Sequence, residues 1–579
     1  MPDNTQHLVF AAPELVGLIA QYLSPRDISQ WMMSCKTFSR QLEPYFWGHP
    51  VITNTLEVPK SLVRHARHFQ SLEVSLDKSF ESFMVELRRP PRRTISHAHA
   101  SVASNVGFPS LKRLTIYTLE HTNPPTSNLL LILYHSPNLT ELNIQRSFKL
   151  DPPLMQVLLI VLETQLPCLQ RLAIQVSSIH QVTGFELLEV CFNHPQLIDL
   201  QCGFYFDRSQ YQTDPKDYND YVPKLDALLK SLQDADKAKA EAGLPTGLRL
   251  KSLMLPDIWE GYPKDFLFPF LRSQVPVLER FRMPCVEGLV DEDDIQELEE
   301  AITVGCPRLT HLSGRMWFSE VTNYEGGFIA AIHSCAKNSG LKSFIGSGYC
   351  EEEHFEHFES GSVVQELLEH HADTLEEIEF HESIHVNSGN INRIVSTCKN
   401  LRTLRMSPFD YPSMSLRFQD VSREWVCRDL TVLELFTDRR VIVPHGRNKV
   451  DIVTQAVQRF FAQVGRLTNL EELGLGSRMD LEREERKLFT KDLTLDNGWL
   501  AELSGLKQLR HLRMYSDYWS SMVREDVEFM HVNWPKLEKI SFGLDDFDEE
   551  VLEDYHWEWL KRRRPYLALV PGIKVLEMF

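Results

Sequence analysis

The sequence lacks most of what would announce a membrane or a catalytic centre. Its longest apolar stretch, around Leu154 to Leu162, is far too short to span a bilayer. The first residues carry Asp3, no early Lys or Arg, and Glu14 within their apolar run, so no signal peptide is expected. None of the 10 cysteines stands in Cys-x-x-Cys, which removes a zinc ribbon and a redox pair, and they are too few in 579 residues for a disulfide scaffold. There is no G-x-x-x-x-G-K-[S/T] phosphate loop and no G-x-S-x-G elbow. Positive charge is also short: 61 Lys and Arg against 80 Asp and Glu leave −19. Phosphate neutralisation needs a basic surface, so no nucleic-acid partner is expected. These absences imply an intracellular chain, in cytoplasm and/or nucleus, without cofactor, metal or membrane.

What is present is one short pattern, repeated. In Cys398-Lys-Asn-Leu-Arg-Thr-Leu-Arg-Met-Ser407, Leu401, Leu404 and Met406 give apolar-x-x-apolar-x-apolar, a strand whose alternate side chains share a face. Upstream, Ile391, Ile394, Val395 and Cys398 recur at helical spacing. Copies of the strand begin at Leu111, Leu139, Leu169 and Leu197, at intervals of 28, 30 and 28 residues, and continue to Leu537. Proline stands two residues ahead of many of them, as at Pro109, Pro137, Pro167, Pro195, Pro276, Pro307 and Pro535. It cannot continue a helix and biases the chain toward extension. Cys306, Cys398 and Cys427 each precede a strand leucine by three residues and read as small buried apolar groups. Repetition of L-x-x-L-x-L at this period is the mark of leucine-rich repeats. The expected fold is α/β, an irregular solenoid with a curved parallel sheet and outer helices over residues 51–579. Residues 51–79 would hold an atypical first repeat. Residues 80–108, with Leu87-Arg-Arg-Pro-Pro-Arg-Arg93, read as a flexible loop. The long interval from Leu197 to Leu250 holds an insertion, 204–247, with a helical stripe at Val222, Leu225, Leu228, Leu229 and Leu232. The asparagine that many such repeats carry after the strand is missing, so those turns must find backbone partners elsewhere.

The first fifty residues follow different rules. Leu15, Leu18, Ile19 and Tyr22 form one helical face opened by Pro13. Ser24-Pro-Arg-Asp27 then ends one helix and caps the next, which offers Ile28, Trp31 and Met32, and a third around Cys35 to Leu42 offers Phe38 and Leu42. Pro13-Glu14-Leu15, Ile19, Leu23-Ser24-Pro25-Arg26-Asp27-Ile28, Ser34-Cys35-Lys36 and Phe38 resemble an F-box. The exit Glu43-Pro44-Tyr45-Phe46-Trp47 resembles that of fungal proteins joining this motif to leucine-rich repeats. The resemblance implies a three-helix F-box over residues 1–50, in the substrate receptor of a Skp–cullin–F-box ubiquitin ligase. Pro13, Leu15, Ile19, Leu23, Ile28 and Trp31 would then bind the Skp adaptor, and through it a cullin. Such a chain performs no bond chemistry itself. The alternatives are a helical cap on an interaction scaffold, and an enzyme built on His381-Glu-Ser-Ile-His385.

That H-E-x-x-H follows directly on a repeat strand, where the helical i, i+4 geometry of zinc proteases is missing, so no zinc site is expected there. Cys350-Glu-Glu-Glu-His-Phe-Glu-His357 reads as a solvated acidic loop, and Lys561-Arg-Arg-Arg564 as the basic end of an acidic helix. With the leucines inward, the intervening strand residues line the concave face. Arg280, Arg282, His311 and Arg315 would gather there, with Arg405 further along, as a basic spot for an acidic or phosphorylated protein substrate. Tyr205, Trp259, Tyr262, Trp317, Phe318, Tyr411, Tyr518 and Trp519 would serve either as a rim of interface anchors or as core under the loops.

Overall fold

In the computed structural model the chain forms two compact units, Met1–Leu278 and Glu279–Phe579. The structure describes residues 16, 19–20, 25–34, 36–52, 65–75, 84, 108–117, 131–145, 149–150, 152–179, 181–194, 196–206, 221–256, 262–284, 286–287, 292–318, 324–350, 361–382, 386–406, 416–438, 449–477, 493–496, 498–514, 522–542 and 555–571.

The first unit opens with helices Pro25–Ser34 and Lys36–Phe46. Val16, Ala20, Ile28 and Leu42 form their core, with Trp31, Met32, Tyr45 and Phe46 packed against it. Four fully buried side chains make a small core, and the segment leans on the first repeat. The Trp47 ring stacks on His65 at 4.8 Å and 4°, Glu43 Oε1 lies 2.5 Å from His65 Nδ1, and Gly48 O accepts from the N–H groups of Gln70 and Ser71.

The strands of this unit are β1 (Val51–Ile52), β2 (Ser71–Ser75), β3 (Arg113–Tyr117), β4 (Glu141–Gln145), β5 (Lys149–Leu150), β6 (Arg171–Ile179), β7 (Asp199–Phe206), β8 (Ser252–Met254) and β9 (Tyr262–Pro263). Strands β1, β2, β3, β4, β6, β7 and β8 pair in that order, all parallel, with β5 beside the end of β6. Helices Pro152–Thr164, Gln181–Asn193 and Tyr221–Glu241 lie between strands, the last being the inserted helix, with Leu225, Leu228, Leu229 and Leu232 buried. Of the expected loop 80–108 only Met84 and Phe108 are described, and both are buried.

The second unit holds β10 (Arg280–Met283), β11 (Val286–Glu287), β12 (His311–Phe318), β13 (Ser343–Cys350), β14 (Glu377–Glu382), β15 (Thr403–Met406), β16 (Leu416–Arg417), β17 (Val432–Asp438), β18 (Glu472–Ser477), β19 (His511–Met514), β20 (Lys539–Phe542) and β21 (Ala568–Pro571). Strands β10, β12, β13, β14, β15, β17, β18, β19, β20 and β21 run parallel in that order. Helices Glu292–Gly305, Tyr324–Lys337, Gly361–His371, Ser388–Thr397, Lys449–Gly465, Arg524–Asn533 and Tyr555–Arg563 connect them. This is a leucine-rich-repeat solenoid.

Its regularity comes from two backbone devices. Ahead of many strands a four-residue turn closes over a proline: Leu111 N donates to Phe108 O, Leu139 N to Ser136 O, Leu169 N to Leu166 O and Leu309 N to Cys306 O. Proline suits the second place of such a turn, because its φ is already set. The residue before each strand then links repeats by accepting twice. Lys112 O takes the N–H groups of Thr140 and Glu141, Thr140 O those of Gln170 and Arg171, and Lys342 O those of Glu376 and Glu377. The missing asparagines are compensated differently where the strand runs on, as in β12 and β13, whose pairing extends to Trp317↔Tyr349 and Phe318↔Cys350. Between helices and sheet, Leu401, Leu404, Met406, Leu433, Leu473 and Leu512 are fully or almost fully buried, each stabilising by about 1.5–3 kcal/mol. Cys306, Cys398 and Cys427 are completely buried, and burial pushes the Cys398 and Cys427 thiols up to about 11 and about 12. Among the described residues no helix is long and apolar enough to cross a membrane.

Candidate protein-binding face

The open face of the second unit is assembled row by row from strand register. One row runs Arg280, His311, Ser343, Glu377, Thr403, Val432, Glu472, His511 and Lys539. The next runs Arg282, Ser313, Ile345, Glu379, Arg405, Glu434, Gly474, Arg513 and Ser541. Parallel pairing in register therefore converts residues tens of positions apart into side-by-side neighbours.

The two ends of these rows differ electrostatically. Arg280 is exposed and stands opposite His311, with Arg282 half-buried in the row above. Burial, then the Arg280 charge, holds His311 below its ordinary value, so at neutral pH the cationic groups here are the arginines. Arg315 belongs to β12, and its side chain lies outside the described residues. Arg405 is not part of that end. Its guanidinium donates to Glu379 Oε1 at 3.0 Å and Glu472 Oε2 at 3.2 Å, bridging three repeats. Arg513 donates to Glu434 Oε1 at 2.7 Å, reaching across Gly474 to do so. A Cβ at Gly474 would stand 2.9 Å from Glu434 Cγ, so glycine there keeps the room the ladder occupies. Glu379 and Glu434 are each only 8% exposed. The middle of the face is thus an internally neutralised Glu–Arg ladder, and β10 brings Arg280 and Arg282 to one end of it.

The alternation of apolar and polar residues places Arg280, Arg282, His311 and Arg405 on this face, but pairing across strands was not legible in it. Glu434, Glu472 and Gly474 were missed. The signal for them was the strand start at Leu430 and Leu470, which fixes Glu434 and Gly474 in one row.

His381 stands on β14 with Nε2 3.1 Å from Glu379 Oε2. Glu382 is also on that strand, so the first half of H-E-x-x-H has extended backbone, and Ser383 to His385 fall outside the described residues. The aromatic rim divides. Tyr262 is completely buried with its hydroxyl donating to Pro256 O at 3.1 Å, a core role. Trp259, Tyr411, Tyr518 and Trp519, and the side chains of Tyr205, Trp317 and Phe318, fall outside the described residues.

No family model matches this sequence, and no curated protein matches it. Among solved structures it is similar to the leucine-rich repeat-containing protein LegL7 from Legionella pneumophila, at 11% identity over 65% of this chain and 92% of that chain, with a TM-score of 0.28. It is also similar to the Rad7 and Elc1 complex of yeast, at 12% identity over 79% of this chain and 80% of that chain, with a TM-score of 0.31. At such low identity and overlap these similarities carry nothing about partners or activity. The repeat assignment rests on the strand register and the backbone ladder.

Three histidines give the fold a defined acid response. His371 is fully buried, accepting from Leu341 N at Nδ1 (3.0 Å) with Nε2 2.9 Å from Ile332 O, and burial lowers its pKa. Burial lowers His194 as well. His511 is pushed down to about 4 by burial and then by Lys539 and Arg513. In the unfolded chain all three take up protons near the ordinary 6.5, in the folded chain only at lower pH. Their stabilisation is therefore complete above about pH 6.5 and is lost as pH falls through each folded value, about 4 for His511, at up to about 1.4 kcal/mol per pH unit for each group. Urea midpoints measured from pH 7.5 to 4.5 should fall along this window, and more shallowly in His511→Gln. A flat profile from pH 7.5 to 5 would contradict it.

Proposed function

We infer that this chain is the substrate-recognition subunit of a Skp–cullin–F-box ubiquitin ligase. The observation that carries the reading is an N-terminal helical segment with its own core, Val16, Ala20, Ile28 and Leu42, fastened to the first repeat through Trp47 and His65. A receptor needs such a rigid joint, because it raises the effective concentration of a bound target near the conjugating enzyme by fixing geometry. The helical segment would dock the Skp adaptor, and the β10 end of the open face would hold an acidic or phosphorylated segment of the target through Arg280 and Arg282, with His311 beside them as a neutral hydrogen-bonding group. Ubiquitin transfer would be the work of other subunits, and this chain would be non-catalytic.

Within the adaptor-binding set, Pro13, Leu15 and Leu23 fall outside the described residues. Ile19 and Trp31 are half-buried, whereas Ile28 is 4% exposed. Ile28 would therefore act by shaping the docking face from within. Met33, 77% exposed on the same helix, is better placed to touch a partner directly.

Co-expression with a Skp adaptor should recover a complex with the full chain and none after deletion of residues 8–49. Failure of the intact chain to associate would sink the ligase reading. Arg280→Glu with Arg282→Glu should abolish target capture and leave the adaptor bound. The same Trp47–His65 joint favours a second reading, in which the helices only cap an interaction scaffold. Under that reading their deletion lowers the melting temperature and changes no partner.

A further inference from the structure

The outer helices of the second unit carry a cluster that the reading above does not use. Glu366 and His370 lie one turn apart on helix Gly361–His371, and His333 comes from the preceding helix Tyr324–Lys337. His333 Nε2 is 2.9 Å from Glu366 Oε2, and His370 Nε2 is 3.3 Å from the same oxygen. One ligand atom of each residue lies within 4.8 Å of those of the other two, and the imidazole centroids are 5.0 Å apart. On the far side of His333, Nδ1 stands 3.5 Å from Glu299 Oε2, on helix Glu292–Gly305, and Glu299 is held in turn by Lys337 Nζ at 2.5 Å.

We propose that His333, Glu366 and His370 form a divalent transition-metal site of the zinc class, which staples two neighbouring outer helices. Zinc takes imidazole nitrogens and carboxylate oxygens at about 2.0–2.2 Å in a tetrahedron, which sets its ligands roughly 3.3–3.6 Å apart. The nitrogens and oxygen already stand at 2.9 and 3.3 Å, so binding requires little movement. Glu299 sits where an outer carboxylate should, opposite the metal on a ligating imidazole. There it favours the tautomer with Nδ1–H and leaves Nε2 free to ligate. Two imidazoles select zinc, nickel or copper over magnesium and calcium, which prefer all-oxygen sites. The groups are accessible: His333, Glu366 and His370 side chains are 31%, 25% and 41% exposed, which leaves an entry path and a coordination position for water. His371, the next residue, is not a ligand, because both its ring nitrogens face backbone groups of the fold.

Titration of the full chain with zinc chloride, followed by calorimetry, tests this directly. The double variant His333→Gln/His370→Gln should bind one equivalent less than wild type, and Glu299→Gln should weaken that same equivalent by at least about tenfold. Zinc should also raise the melting temperature of wild type and of His381→Gln, but not that of the double variant. Circular dichroism of the double variant confirms that its fold is intact, as expected for part-exposed residues. Zinc stoichiometry and affinity unchanged by the double substitution, or no zinc bound by wild type, would overturn the site. Magnesium binding equal to zinc would overturn the metal class.

Discussion

Arg564→Ala is expected to destabilise the C-terminal repeats by roughly 2–4 kcal/mol, far more than a surface arginine would. The residue closes a basic run, Lys561-Arg-Arg-Arg564, yet it is 9% exposed. Its guanidinium reaches back into the preceding repeat. Nη1 donates to Trp534 O at 2.7 Å and more weakly toward Leu537 O at 3.4 Å, Nη2 donates to His531 O, and Nε donates to His531 Nδ1 at 3.0 Å. These acceptors lie at the end of helix Arg524–Asn533 and in the turn entering β20, where helical carbonyls lose their intrahelical partners. Trp534, fully buried, is fixed in the same place by Nε1 donating to Leu503 O at 3.0 Å. Alanine would strip the guanidinium from His531 O, Trp534 O and Leu537 O, of which Trp534 O keeps the Leu537 N–H, and lysine cannot serve them together, because its donors radiate from one point. Both variants should lower the urea midpoint, with lysine recovering less than half. A shift below about 0.5 kcal/mol in Arg564→Ala would show that water replaces the guanidinium. Two more members of the run are engaged as well: Arg562 pairs with Glu558 at 2.6 Å, and Arg563 lies over the Trp559 ring at 5.6 Å. Within the run, Arg564 is thus the fastening between repeats, while Arg562 and Arg563 make contacts within their own helix.

How much of this was legible beforehand depends on the range of the interaction. The helices expected from the stripe Val222 to Leu232 and from the spacing of Ile391, Ile394 and Val395 occur as Tyr221–Glu241 and Ser388–Thr397, because apolar periodicity is a local signal. The strand faces were equally legible, since alternation alone separates Leu404 from Arg405. Partner choice was not. Arg405 and Glu472 are 67 positions apart, and only the register of two successive strand pairings brings them together. The metal chemistry shows the same limit from the other side. The eye-catching His381-Glu-Ser-Ile-His385 begins on a strand, whereas His333, Glu366 and His370 form no motif until two helices are laid side by side. Tyr262 belongs here too: nothing in its neighbours in the chain distinguishes a buried tyrosine donating to Pro256 O from an exposed rim residue.

Arg405→Met alone should cost about 2–4 kcal/mol, whereas Arg405→Met combined with Glu379→Met should cost much less. The difference follows from the desolvated carboxylate. Burial alone would raise the Glu379 pKa, but the hydrogen bond with His381 and the Arg405 guanidinium outweigh it and hold the carboxyl below its usual range. Removing only the arginine leaves that buried charge with His381 beside it at 3.1 Å, and it frees Glu472 to solvent. Removing both members replaces an ion pair by apolar contacts of similar volume, and no buried charge is stranded. The four chains of this double-mutant cycle, compared by urea denaturation at pH 7.5, should give a coupling of at least about 1 kcal/mol. Additive losses would mean that Arg405 and Glu379 are solvated independently. The double variant also separates two roles for Arg405 on the open face. If target capture survives in it, Arg405 serves the ladder and recognition belongs to Arg280 and Arg282. If capture is lost while stability is kept, the ladder itself is read by the partner, through the alternating charges that bridge β14, β15 and β18.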